Sequence, residues 1–320
     1  MKNVKPVYSI VVPVFNEEAV TAECYKRLKE VMDTAVAAYE LIFINDGSRD
    51  GTNNILMSLQ EIDPVVKVIN FSRNFGHQIA ISAGMDYASG DAVVVIDADL
   101  QDPPEVILSM IEKWKEGYQV VYGKRSKRKG ESLFKKISAS LFYRMLKKLT
   151  HVEIPVDVGD FRLIDRTVCD AMKKVREKNR FIRGLISWLG FKQTEVLYER
   201  EKRFAGSTKY PLRKMINFML DAVTSFSYIP LKIATLLGSL TSLAGFAYLL
   251  IVLYQRLFTE KTIQGWTSMV SLTLIFNGII LLILGIIGEY IGRIYDESKN
   301  RPLYIVQDLA GFSQDEVLGE

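Results

Sequence analysis

Cysteine and histidine are nearly missing from this 320-residue chain, which holds two of each. Cys24 and Cys169 are too few and too far apart for a metal knuckle or a disulfide framework, so a reduced, cytosolic setting is expected. His77 and His151 show no metal-ligand spacing and are read as structural. Met1 to Ser9 contains no apolar core long enough for a signal peptide, and the first two thirds of the chain are expected to stay cytoplasmic. Glycine-rich phosphate loops are absent too: no Gly-x-Gly-x-x-Gly follows the first apolar run, and no Gly-x-x-x-x-Gly-Lys occurs. That removes the usual dinucleotide and P-loop readings, so phosphate charge must be met by a metal and by basic side chains. The formal charge is only +4, yet Lys124 to Lys148 carries ten Lys or Arg residues against one acid, Glu131. No nucleic-acid module accompanies that block, and a membrane is the favoured anionic partner.

What the chain does contain is an alternation of apolar runs and helical stretches. Tyr8 to Pro13, Glu40 to Ile44, Val65 to Phe71 and Ala92 to Ile96 read as buried strands. Between them lie helical stretches from Phe15 to about Val36, from about Asn53 with Asp50 as a candidate cap, and from Gln78 to Ala88. Such alternation predicts an α/β fold with a mostly parallel, open sheet. Ligands then bind beyond the carboxyl ends of the strands. Four polar loops share that address: Pro13 to Glu17, Asn45 to Asp50, Arg73 to Gly76 and Asp97 to Gln101.

The last loop, Asp97-Ala98-Asp99-Leu100-Gln101-Asp102-Pro103-Pro104, carries the sharpest chemical signal. Two carboxylates one residue apart at a strand end, with an amide oxygen two positions on, make a hard-oxygen site for Mg²⁺ or Mn²⁺. The alternative is an acidic turn in which Asp102 caps a helix ahead of Pro103 and Pro104.

The C-terminal third is built for a membrane. Between Lys232 and Arg256 lie 23 uncharged residues, and between Lys261 and Glu289 lie 27. Each exceeds the ~20 that a bilayer core requires, so two transmembrane helices, about 233–255 and 266–290, are expected to form a hairpin. Arg213, Lys214 and Lys232 precede the hairpin, and Arg293, Lys299 and Arg301 follow it. Positive charge inside then places both termini in the cytoplasm. Two basic amphipathic helices, about 133–149 and 211–231, are expected at the interface. The resulting division is 1–210 catalytic, 211–231 juxtamembrane, 232–292 hairpin and 293–320 tail. In the tail, Leu303 to Val306 reads as a short extended segment and the rest as disordered, with no function.

Taken together, Pro13-Val14-Phe15-Asn16-Glu17, Asn45-Asp46-Gly47-Ser48, Asp97 to Pro104 and Arg203-Phe204-Ala205-Gly206-Ser207-Thr208-Lys209-Tyr210 resemble the polyprenyl-phosphate glycosyltransferases. These are GT-A (Rossmann-like) enzymes of glycosyltransferase family 2, similar to bactoprenol glucosyltransferases and dolichol-phosphate mannose synthase. The resemblance implies that Pro13, Phe15, Glu17, Ile44 and Asp46 hold the nucleoside, with Ala98 also among the residues that bind the nucleotide sugar. It implies that Asp97, Asp99 and Gln101 bind Mg²⁺ or Mn²⁺, with Asp99 also counted as catalytic. Arg125, Arg203 and Lys209 fall at basic positions near the donor diphosphate or acceptor phosphate. Asp160, in Asp157-Val158-Gly159-Asp160-Phe161-Arg162-Leu163, matches the family's candidate catalytic aspartate. A phosphomonoester is already largely dianionic at neutral pH, its second pKa being ~6, so Asp160 would orient the acceptor or finish its deprotonation.

The implied reaction is an inverting transfer of a hexose from a UDP-sugar to undecaprenyl phosphate at the cytoplasmic face of the plasma membrane, for cell-envelope glycan modification. Glucose is the sugar the resemblance favours; N-acetylglucosamine, galactose or a modified arabinose would use the same motifs. A homo-oligomer is compatible with a two-helix hairpin. The rival readings are a processive polysaccharide synthase of the same fold, a nucleotidyltransferase, and a non-catalytic membrane scaffold. The synthases share a Gln-x-x-Arg-Trp motif, and none of Trp114, Trp188 or Trp266 follows an arginine.

Overall fold

The apolar runs near the N-terminus form strands that are covered on both faces. In the computed structural model, residues 5–126, 158–175, 177–178, 180–201, 229–258 and 265–313 are described. Strands β1 (Tyr8–Val14), β2 (Tyr39–Asn45), β3 (Val66–Phe71) and β4 (Ala92–Val95) are buried at every position except Tyr39. Continuous burial of this kind marks a parallel sheet sandwiched by helices. The helices between them are α1 (Glu18–Asp33), α2 (Thr52–Ile62) and α3 (His77–Tyr87). Beyond β4 come α4 (Val106–Lys115), β5 (Val120–Arg125), β6 (Val158–Asp165), α5 (Arg166–Lys174), α6 (Ile182–Trp188) and β7 (Gln193–Tyr198).

With β8 (Val306–Ala310), one eight-stranded sheet results, in the order β7-β5-β6-β4-β1-β2-β3-β8. Its centre is parallel: β1 pairs with both β2 and β4, and β2 with β3. Because β1 has a neighbour on each side, the strand order reverses there and a crevice opens beyond its carboxyl end. Antiparallel β6 inserts between β4 and β5, which brings Asp160 toward the same crevice.

The tail departs from expectation. Val306–Ala310 is not disordered but forms β8, antiparallel to β3. An uncovered β3 would present a row of unpaired backbone groups. The tail closes that edge, and Tyr304 stacks on Phe71 with ring centroids 5.2 Å apart. Residues 302–313 thus belong with the unit that holds the sheet rather than with the hairpin that precedes them.

The hairpin consists of α7 (Ile229–Phe258) and α8 (Trp266–Ser298). Pro230–Gln255 and Ser271–Ser298 are long and apolar enough to cross a membrane, with mean hydropathies of 2.1 and 2.4. The two helices pack antiparallel: a Cβ on Gly238 would lie 3.6 Å from Ile283, and one on Gly245 3.8 Å from Phe276. Large apolar side chains such as Leu243, Phe246 and Leu281 remain exposed, as a lipid-facing surface requires. Residues 133–149 and 211–228, where the amphipathic helices were expected, lie outside the described residues; 229–231 already belong to α7.

Helix α3 lies close on the sheet because Gly84 has no side chain. A Cβ there would sit 2.2 Å from Val11 Cγ1 and 2.8 Å from Ile44 Cδ1, both in the core. Gly84→Ala should therefore destabilise the unit that holds the sheet by about 1–3 kcal/mol, the usual cost of overpacking. A lowered thermal midpoint in the detergent-solubilised full chain is the expected readout; an unchanged midpoint would mean the contact is loose.

Candidate active site

The loops that follow β1 and β2 are fastened to each other. Asn16 N donates to Ser48 Oγ (2.9 Å), Arg49 N to Asn16 Oδ1 (2.8 Å), and Glu17 N to Thr52 Oγ1 (2.9 Å). Gly47, at φ +68, lets the β2 loop touch the β3 loop, since a Cβ would lie 2.5 Å from the Arg73 carbonyl carbon. These loops and β8 enclose a cavity of about 560 Å³. Phe15 lines it and is 37% exposed. Pro13 and Ile44 are buried strand partners in register and are not among the residues that line the cavity. Glu17 is half-buried at the start of α1. Asp46 is buried and already accepts from Phe75 N (2.6 Å), Asn74 Nδ2 (2.9 Å) and Gly76 N (3.0 Å). Burial raises its pKa, and the two backbone amides oppose that rise. Its evident work here is to shape the β3 loop.

Beyond β4, the chain turns sharply at Leu100, whose φ of +56 is strained for a side chain of that size. Burial of Leu100 pins the turn. Gln101 N then donates to Asp99 Oδ1 (3.1 Å), while Ala98 packs into the core. Gln101 is half-buried, and its carbonyl accepts from Glu201 N (2.9 Å). Asp97 Oδ1 is buried and, among the described residues, accepts no hydrogen bond, although His77 Nε2 lies 3.4 Å away. Burial pushes the Asp97 carboxyl up to about 6; His77 opposes this, and repulsion from Asp160, Asp102 and Asp99 adds to it. An orphaned carboxylate oxygen beside a second carboxylate fits a divalent cation. Among the described residues, no three His, Cys, Asp or Glu side chains are grouped to hold a metal by themselves. The protein would therefore supply Asp97, Asp99 and the Gln101 amide, leaving the other positions to phosphate oxygens and water, the usual manner of Mg²⁺ sites.

Asp160 lies deeper, buried on β6. Arg183 from α6 grips it with both arms of the fork, Nε to Oδ1 at 2.8 Å and Nη2 to Oδ2 at 3.2 Å. Gln78 Nε2 donates to Oδ2 (3.0 Å), and His77 Nε2 is 3.4 Å from the same oxygen. Burial alone would raise the pKa of Asp160, but Arg183 and His77 hold it well below the usual carboxylate range. For His77, burial disfavours the imidazolium, yet Asp97 and Asp160 outweigh it and lift the pKa to about 9. Arg162, also buried, donates from Nη2 to the Gly159 carbonyl (2.9 Å), and burial lowers its pKa to about 10.

Asp102 does not cap a helix. It is buried and accepts from the Tyr198 hydroxyl, with Arg200 at 3.7 Å and Arg125 at 3.8 Å. Arg125 is thereby held at the end of β5, and its Nε also reaches Tyr198 Oη at 3.3 Å. Arg203, Lys209 and His151 lie outside the described residues.

The structure thus gathers Phe15, Asp46, Asp97, Asp99, Gln101 and Asp160 along the carboxyl edge of the sheet. It also brings in groups that sequence reasoning missed. His77, expected from sequence to be structural, opens the helix after the third strand and so shares the crevice address. Arg183 carried only a faint signal, a charge inside the apolar stretch Phe181 to Trp188. Gln307 and Asp308 came from a tail expected to be disordered, and both line the cavity.

The chain matches known proteins over nearly its whole length. Residues 9–172 match the family model "Glycosyl transferase family 2", and residues 229–294 match "GtrB C-terminal hairpin". The chain is similar to the uncharacterized glycosyltransferase YkcC of Bacillus subtilis (strain 168), at 64% identity over 95% of this chain and 94% of that protein. It is also similar to the bactoprenol glucosyl transferase of Shigella phage SfV, at 42% identity over 94% of this chain and 98% of the relative. Among solved structures, glucosyl-3-phosphoglycerate synthase from Mycobacterium tuberculosis, in complex with Mn²⁺, UDP and phosphoglyceric acid, matches with a TM-score of 0.49 and 19% identity. That match covers 68% of this chain and 76% of the other. By both family matches and by identity over nearly its whole length, the chain is a glycosyltransferase and belongs to glycosyltransferase family 2.

Proposed function

We propose that this enzyme transfers glucose from UDP-glucose to a polyprenyl phosphate, undecaprenyl phosphate in the bacterial setting of its relatives, by one displacement that inverts the anomeric carbon. The bactoprenol glucosyl transferases that it resembles along its length support the sugar and the acceptor. The observation that carries the acceptor chemistry is the state of Asp160. A carboxylate clamped by Arg183 and His77 is a weak base, because taking up a proton would forfeit both pairings. A hydroxyl acceptor would need a competent base. A lipid phosphate, with its second pKa ~6, arrives ionised. The same observation disfavours a polysaccharide synthase, whose acceptor is a sugar hydroxyl.

In this reading the cavity between the β1, β2 and β3 loops takes the nucleoside, with Phe15 offering a ring face and Pro13, Glu17, Ile44 and Asp46 fixing the loops around it. Asp97, Asp99 and Gln101 would hold Mg²⁺ or Mn²⁺, and Ala98 lets the backbone between the two acids lie flat on the core. When bound, the cation supplies positive charge that stabilises the departing nucleoside diphosphate. Arg125, steered by Asp102 and Tyr198, and the basic residues Arg203 and Lys209 neutralise phosphate charge on donor and acceptor. Asp160 and its Arg183 clamp set the angle at which the lipid phosphate meets the sugar. Positive charge flanking the hairpin supports a cytoplasmic catalytic unit with both termini on that side of the plasma membrane, where a lipid phosphate and a soluble donor meet.

Two outcomes check this reading. Transfer from UDP-glucose to undecaprenyl phosphate should need Mg²⁺ or Mn²⁺, and Asp160→Asn should cut turnover by about 10²-fold or more while sparing UDP affinity. Undiminished transfer in chelator, or near-normal turnover in the variant, would contradict it.

A third outcome concerns stability. The Asp97 carboxyl titrates at about 6 in the folded chain, against about 3.9 when unfolded. The stabilisation it gains by protonation is complete below about pH 4 and is lost as pH rises through about 6. Metal-free Asp97→Asn should therefore melt higher than the parent at about pH 8, and the gap should close near pH ~4. A parent at least as stable as the variant at the higher pH would show that Asp97 carries no such burden.

A further inference from the structure

The cavity beside β1, β2 and β3 has a fourth wall, and it comes from the far end of the chain. Strand β8 pairs Asp308 with Asn70 and Val306 with Phe71, so a β-bulge leaves Gln307 as the extra residue between them. In a regular strand Gln307 and Asp308 would face opposite sides of the sheet; a bulge re-aims a side chain. Both residues line the cavity. The tail is fixed on either side of the bulge. Ser72 N donates to the Ile305 carbonyl (3.0 Å), the Tyr304 hydroxyl to Asp86 (3.0 Å), and Phe312 packs edge-on against Tyr87.

A row of amides aims Asp308. Asn45 Nδ2 donates to Asn70 Oδ1 (2.9 Å), and Asn70 Nδ2 donates to Asp308 Oδ2 (3.0 Å). Among the described residues, Asp308 Oδ1 and the Gln307 amide take part in no other hydrogen bond. At one edge, then, the cavity presents an anionic acceptor next to an amide able to donate or accept. A nucleotide has a strongly anionic end and a neutral end. Asp308 repels the first, which belongs by the Asp97–Asp99 pair and its cation, and so it selects the second.

Resting on the donor reading above, we propose that Gln307 and Asp308 form the base-recognition edge of the donor site, and that they select a base with an imide N–H between two carbonyls. Asp308 Oδ1 accepts that N–H, and the Gln307 amide donates to an adjacent carbonyl. Uracil fits this pattern. Cytosine does not, because its N3 is an acceptor and would face the carboxylate. The strand that follows the membrane hairpin thus sets nucleotide specificity at a site whose other walls lie in the first 75 residues or so.

Asp308→Asn is a clean test because its retained oxygen can still accept from Asn70, while its amide turns the free acceptor into a donor. UDP and CDP affinities, each with Mn²⁺, are measured calorimetrically on the detergent-solubilised full chain, for the parent, Asp308→Asn and Gln307→Ala. The parent should prefer UDP. Asp308→Asn should weaken UDP by about tenfold or more and narrow or reverse the preference over CDP. Gln307→Ala, which touches no described hydrogen bond, should weaken UDP without lowering the thermal midpoint. UDP affinity and preference unchanged in both variants, with the parent binding UDP, would overturn the tail's role alone. A parent that binds neither nucleotide would overturn the donor reading and the tail's role together.

Discussion

A buried carboxylate oxygen with no hydrogen-bond donor is the constraint to which the catalytic crevice is fitted. Asp97 Oδ1 lies just beyond the end of a fully buried strand, near the acids Asp160, Asp102 and Asp99 and, among the described residues, with His77 Nε2 3.4 Å away. Left alone this arrangement is costly, because charge taken out of water needs a partner. The fold holds it in place nonetheless: β4 is locked between β1 and β6, and Leu100 is buried in a backbone conformation it would not choose. A site built at such expense of stability is matched to a ligand that brings positive charge, and a metal-bound diphosphate is that kind of ligand.

The opposite logic governs Asp160. Two arms of Arg183, Gln78 and His77 satisfy it so fully that it has little appetite for a proton. Two carboxylates thus share one imidazole nitrogen, His77 Nε2, and are pushed apart in acidity by their surroundings. Asp97 is poised for a cation and Asp160 is fixed as an anion. Such a separation suits a reaction in which the nucleophile is already charged and the chief difficulty is the departure of a diphosphate.

Much of this was legible in the chain, and for a definite reason. Strands β1 to β4 are buried on both faces, so they read as unbroken apolar runs, and the loops that follow them inherit a shared address from topology alone. The hairpin was legible because a membrane demands length and apolarity, both of which are local properties. The partners of Asp160 were not, since Gln78 and His77 lie more than 80 residues before it and Arg183 lies 23 residues after it; only the folded sheet brings them together. The alternative of a helix cap at Asp102, which a following Pro-Pro favours, does not hold, because burial gives the carboxylate to Tyr198 instead. The tail was misread for a similar reason. Val306-Gln307-Asp308-Leu309-Ala310 is too short and polar to announce a strand, and it becomes one only against the open edge of β3.

The most direct test of the central claim, that the enzyme relies on an acceptor already ionised rather than on a base, compares two lipids that differ only in that phosphate. The purified chain is incubated with UDP-glucose and Mn²⁺ and with either undecaprenyl phosphate or undecaprenol, and the lipid products are weighed by mass spectrometry. One hexose added to the phosphate and none to the alcohol is the expected result. Glucosylation of the alcohol at a comparable rate would contradict it.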